Sequence, residues 1–190
     1  RTLETREWGL IPFWAKEPNP LINARSETVT EKPSFRHAFR KRRCLIPASG
    51  FYEWAKEEGQ KQPYFIRLKN GSPMAFAGLW EEWTSTKGET RRTCVILTIA
   101  ANSLMQEIHH RMPVILTPSS GAMWLDHSGG RNSPEKLLLP FSADKMEAWR
   151  VSPKVSVPAF DNPDCFRKLE KAEASEKKPE PPEAQASLFD

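Results

Sequence analysis

The sequence holds only three cysteines, Cys44, Cys94 and Cys165, an odd number with no CxxC spacing. That excludes a disulfide framework and a zinc knuckle, and it suits a reducing compartment. No apolar run approaches the roughly 18 residues a spanning helix needs, and no charged, apolar, small-residue leader opens the chain, so neither a membrane span nor export is expected. Any repeat of solenoid or propeller period is also missing. The first residue is Arg1, not Met, and Arg1-Thr2-Leu3-Glu4-Thr5-Arg6-Glu7-Trp8 reads as a strand already under way, so preceding sequence is expected.

What is present is enough for one real core: 190 residues, 38% hydrophobic, with seven Trp and ten Phe. The composition divides the chain at about Arg167. Residues 167–190 turn to Glu, Lys, Ala and Pro, which cannot offset the entropy of ordering and read as a disordered tail. The tail takes 5 of the 28 basic and 6 of the 24 acidic residues, which leaves residues 1–166 a single domain of net +5. That sign favours a phosphate-rich partner over an acidic one.

Strand-like runs at 7–14, 44–46, 50–56, 63–69, 74–84, 92–99 and 112–117 alternate with turn signals. The turns Glu57-Glu58-Gly59-Gln60, Asn70-Gly71-Ser72-Pro73 and Ser85-Thr86-Lys87-Gly88 predict hairpins and hence mainly antiparallel pairing. Helical patterns fall at 34–42, at 102–108 with Asn102 as N-cap, and at 119–125. The fold class expected is α+β, a mainly antiparallel β-meander or barrel-like sheet with several short flanking helices.

Four segments carry residues suited to chemistry. In Trp8-Gly9-Leu10-Ile11-Pro12-Phe13-Trp14, alternation places Trp8 in the core and leaves Trp14, beside a Pro-rich loop, free to stack on an unpaired base. Leu21-Ile22-Asn23-Ala24-Arg25-Ser26-Glu27-Thr28 follows, with Asn23 and Arg25 as polar candidates or simply a turn residue and a surface cation. Next, Pro33-Ser34-Phe35-Arg36-His37-Ala38-Phe39-Arg40-Lys41-Arg42-Arg43 sets Arg36, Arg40 and Arg43 on one helical face, a phosphate-binding stripe or a solvated one. Just beyond, Glu53 in Gly50-Phe51-Tyr52-Glu53-Trp54 is a lone carboxylate among aromatics. Burial would raise its pKa and fit it to move protons near neutral pH, whereas alternation alone turns it to solvent. Finally, Ile108-His109-His110-Arg111-Met112-Pro113 offers two imidazoles of which one can face a given site. No HExxH or equivalent ligand set accompanies them, so no metal and no cofactor is expected.

The order WGLIPFW, INARSET, FRKRRCLIPASGFYEW, IHHRMPVIL resembles the SRAP family, the SOS response-associated peptidase domain, from Trp8 to Cys165. The resemblance implies a covalent crosslink to abasic sites in single-stranded DNA, which shields them during the DNA damage and SOS response. It further implies an N-terminal cysteine, exposed by autoproteolytic removal of the initiator Met, whose α-amine and thiol close a thiazolidine on the sugar aldehyde. That cysteine is not in this chain, and none of the three internal thiols has the free α-amine to replace it. On matching positions Asn23 would hold the amine and sugar, Glu53 would move protons, and His109 would act on the opened sugar's hydroxyl. Arg25 and Arg111 would bind phosphates, and Trp14 would wedge against adjacent duplex. The rival readings are a non-catalytic single-stranded DNA-binding module, which suits a chain without its nucleophile, and a peptidase. A monomer in a bacterial cytoplasm, near the nucleoid, is expected. The closing Gln185-Ala186-Ser187-Leu188-Phe189-Asp190 is similar to peptides that dock on the bacterial sliding clamp, with Gln185, Leu188 and Phe189 as anchors.

Overall fold

The computed structural model describes residues 2–128 and 133–169; the clamp-like residues Gln185, Leu188 and Phe189 lie outside them. The architecture is α+β. Among the described residues ten strands form two sheets, and three short α-helices pack beside them. The larger sheet is built on β6 (Met74–Thr84) and β7 (Thr90–Ala100), an antiparallel hairpin whose turn closes through Ser85 N–H donating to Glu89 O at 2.8 Å. On the outer edge of β6 lies β3 (Arg43–Ala48). The outer edge of β7 takes two short parallel strands in line, β1 (Glu7–Trp8) and β2 (Asn23–Arg25).

The far ends of β6 and β7 splay. Into the gap run β8 (Arg111–Pro113), paired to β7, and β9 (Ile115–Leu116), paired to β6. Val114 stitches both sides, donating to Leu97 O and accepting from Ala77 N–H, each at 2.8 Å. The run expected as one strand over 112–117 is therefore two half-strands serving two neighbours.

The smaller sheet comprises β4 (Phe51–Glu57), β5 (Gln60–Leu68) and β10 (Met146–Arg150), all antiparallel. Glu58 and Gly59, both with positive φ, make the two-residue turn between β4 and β5, which matches the twist of the strands it joins. The turn at Asn70 to Pro73 does not make a hairpin: β5 and β6 belong to different sheets. Neither sheet closes into a barrel among the described residues.

One core lies between the sheets. Phe51 and Ile66 come from the smaller, Phe76, Leu79 and Leu97 from the larger, and Phe51 meets Phe76 edge-on at 5.9 Å. At one end α1 (Arg36–Lys41) and α3 (Pro118–Trp124) cover it with Phe39 and Trp124, ring to ring at 5.6 Å. Truncating either ring would cost about 3–5 kcal/mol. As expected, Asn102 caps α2 (Ser103–Gln106), accepting from Met105 N–H at 2.9 Å. Two glycines are demanded by geometry. Gly9 ends β1 with φ +120, and a side chain there would strike Pro20, which is why the strand expected over 7–14 stops at Trp8. A Cβ on Gly50 would come within 2.6 Å of Ile66 O, so the entry to β4 admits only glycine.

Candidate active site

Strand β4 turns Phe51, Glu53 and Ala55 inward, and Glu53 is 0% exposed. The alternation reading, which put Glu53 in solvent, chose the wrong parity. Aromatic and apolar residues occupy both parities of this strand, so the pattern does not distinguish its faces, and packing against the core decides. A carboxylate thus stands at a core position. Its Oε1 accepts from Trp54 N–H at 3.1 Å, and its Oε2 lies 3.9 Å from Nδ1 of His109.

His109 sits in the turn between α2 and β8 with its side chain 12% exposed. The Nδ1 atom faces one donor, the backbone N–H of Arg111 at 3.1 Å, and two acceptors, Arg111 O at 3.3 Å and Glu53. The Nδ1 atom therefore meets both a donor and acceptors, so it has a partner whichever tautomer the ring adopts. His110 stacks beside it, ring centroids 4.3 Å apart, and is exposed.

Asn23 begins β2, half-buried, with Arg25 on the same strand face and Ala24 turned into the core. Arg25 pairs with Thr98, whose carbonyl and hydroxyl accept from Arg111 at 2.7 and 3.0 Å. The structure therefore joins Glu53 and His109 directly, and it links the Asn23 strand to the His109 turn through β7 and Arg111.

The remaining sequence candidates separate. Trp14 is 54% exposed beside an equally open Phe13, and Arg25, Arg36 and Arg40 are exposed. Trp8, expected in the core, is 45% exposed and donates from Nε1 to Ile22 O at 2.8 Å; β1 is an edge strand of the larger sheet. Arg43 leaves the stripe. The helix ends at Lys41, and Arg43, 7% exposed, donates to the backbone carbonyls of Phe39, Arg40, Trp124 and Asp126. It is a structural bolt between α1 and α3. Arg111 also points inward, 8% exposed, with its guanidinium bidentate on Glu27 at 2.7 and 3.0 Å.

Sequence reasoning gave no role to Glu27 or to a second carboxylate and imidazole, Glu81 and His37. Glu81 is 1% exposed, ion-paired with Arg42 and 4.0 Å from Nδ1 of His37. Glu27 stands in the quoted INARSET segment, two residues after Arg25; Glu81 has no sequence signal beyond an acid on an apolar strand. Burial pushes the Cys44 thiol up to about 12, and Cys94 up as well, which leaves both as thiols near neutral pH. The pocket beside α1 and α3, bordered by Arg40, Met123, His127 and Glu135, includes none of Asn23, Glu53 and His109.

A fully buried carboxylate and a nearly buried imidazole 3.9 Å apart are thus carried on an α+β pair of sheets. The chain matches the family model "SOS response associated peptidase (SRAP)" over residues 1–158, and it belongs to that family. It is 45% identical over 164 residues to the abasic site processing protein YoqW of Bacillus subtilis (strain 168), covering 84% of this chain and 73% of that one. With the abasic site processing protein HMCES of Rattus norvegicus it shares 32% identity over 200 residues, 87% of this chain and 56% of the other. A solved structure from Bacteroides thetaiotaomicron superposes with a TM-score of 0.79 at 34% identity, covering 86% of this chain and 75% of that chain.

Proposed function

We propose that this domain binds single-stranded DNA and processes abasic sites by covalent crosslinking, with Glu53 and His109 moving the protons. The observation that carries the reading is the contact between fully buried Glu53 and nearly buried His109, together with relatives that are named for abasic-site processing. The nucleophile is an N-terminal cysteine outside this chain. Its amine adds to the sugar aldehyde carbon, and the carbinolamine loses water to give an imine. The thiol then adds across the C=N bond, its proton passing to nitrogen, to close a thiazolidine, so water is the only by-product. Loss of water needs a proton on the departing oxygen and another taken from nitrogen, work for a carboxyl and imidazole held together. In this scheme Asn23 holds the amine and sugar. Exposed Arg25, Arg36 and Arg40 contact phosphates, and Trp14 wedges beside the lesion.

On this reading the protein acts as a monomer at replicating DNA in the bacterial cytoplasm. The anchors Gln185, Leu188 and Phe189 would recruit it to the sliding clamp, and Leu188→Ala with Phe189→Ala would abolish retention on clamp beads. The central test incubates full-length protein with an abasic single-stranded oligonucleotide and resolves the products on a denaturing gel. A slow-migrating adduct is expected, and Glu53→Gln should slow its formation on the order of 10²-fold or more. Reversible retention of the oligonucleotide with no adduct would sink the crosslinking reading in favour of a binding module. Cleavage of a peptide without adduct would favour a peptidase.

A further inference from the structure

His109 and His110 do not diverge as neighbours on an extended strand would. The chain is still curling off α2 as it reaches them: the backbone N–H groups of Ile108 and His109 both donate to Met105 O, at 2.9 and 2.8 Å. His110 O then accepts from Ala101 N–H at 3.0 Å, which ties the turn to the chain just past the end of β7. The two rings therefore lie against each other, centroids 4.3 Å apart and planes tilted by 43°. His109 keeps only a small exposed area, whereas His110 is open to solvent. Successive nucleotides rise by only about 3.4 Å along a stacked strand, so a strand that brings a sugar to His109 lays the next nucleotide against His110.

We propose, on the reading of Glu53 and His109 as the reacting pair, that His110 is a stacking platform for the nucleobase next to the abasic site. Loss of a base interrupts the stack and leaves the neighbouring base with an uncovered face. A ring whose place is already set by backbone hydrogen bonds covers such a face at little cost in ordering, and it accepts any base because each has a π face. One side of the His110 ring leans on His109, so a base laid on the other side continues a stack that begins in the site itself. Recognition of this kind works through the gap that defines the damage, whereas a phosphate contact meets damaged and intact strands alike.

The probe is a single-stranded oligonucleotide carrying tetrahydrofuran, an abasic analogue without an aldehyde, whose binding to full-length protein is read by fluorescence anisotropy with no covalent step. His110→Ala should weaken binding about five- to tenfold. His110→Phe, which keeps a flat ring, should recover most of that loss, and His110→Asn, which keeps a side-chain N–H donor without the ring, should not. The native protein should favour a purine beside the analogue over a pyrimidine by about threefold, a preference that disappears in His110→Ala and returns in His110→Phe. All three variants change an exposed side chain and should unfold at the native urea midpoint, so a loss of affinity reads as a lost contact. Native affinity in His110→Ala would overturn the proposal. So would recovery by His110→Asn in place of His110→Phe, with a salt dependence whose slope falls by about 1 in His110→Ala, which would make His110 a phosphate ligand. If the native protein binds the analogue yet forms no adduct with true abasic DNA, the crosslinking reading fails and the affinities still decide the stack; if it binds no single strand, both fail.

Discussion

Among the described residues the same pairing occurs twice, in two different surroundings. Glu53, on an edge strand of the smaller sheet, and Glu81, on a central strand of the larger, are both buried carboxylates, each about 4 Å from a histidine Nδ1. At Glu81 a guanidinium takes the charge: Arg42 is ion-paired to it and lies over the ring of Trp80, which Arg6 also covers at 4.2 Å. His37 there is half open to solvent and leans on exposed Phe13. At Glu53 the imidazole is itself nearly buried, and a backbone N–H holds its Nδ1. A carboxylate matched to a permanent cation is committed to structure. One matched to an imidazole keeps a partner whose proton can leave.

The sharpest way to break this contrast is kinetic. His109→Ala in the full-length protein should lower the single-turnover rate of adduct formation by about 10²-fold or more, while His37→Ala should stay within about twofold. Equal losses would mean that the two pairs are not functionally distinct. Stability should run the other way. Glu81→Ala leaves Arg42 facing an apolar strand without its carboxylate and should cost about 1–3 kcal/mol in urea unfolding, whereas His37→Ala should cost less than about 0.5 kcal/mol. The smallest effect concerns acid. Hydrogen bonds from Arg111 hold the Glu27 carboxyl below its usual 4.5, against an opposing effect of burial. A depressed carboxylate contributes stability that is complete above 4.5 and is lost as pH falls through its lower folded value. Glu27→Gln should therefore flatten the acid limb of the stability curve below about pH 4.5, by under about 1 kcal/mol given its exposure. A mutant whose acid limb superposes on the native one would remove Glu27 from that pairing.

Much of this was legible from local chemistry. The alternating, aromatic run at Met74–Thr84 is a strand with those bounds, the Glu58-Gly59 turn follows from one glycine, and Asn102 caps its helix because its side chain can reach Met105 N–H. What was not legible depends on partners far along the chain. Whether β5 pairs with β6 or with β10, and whether Trp8 is covered, are settled by which strands meet. For Glu53 the residue type suggested chemistry while the strand pattern suggested solvent, because Tyr52 and Trp54 are as apolar as Phe51 and Ala55. Arg43 shows how cationic spacing misleads. A guanidinium can be drawn inside by carbonyls or a carboxylate contributed by distant segments, and no window of sequence around it announces their presence.

The wedge that β8 and β9 drive between β6 and β7 has a consequence in time. Residues 111–116 are made after the two long strands they separate, so hairpin closure alone cannot finish the sheet: its open end must wait for a later stretch of chain. Such non-local insertion is slow and comes late. Since His109 enters just ahead of that stretch, the contact between Glu53 and His109 comes into being only with the completed domain, and partly folded chains hold the two residues apart.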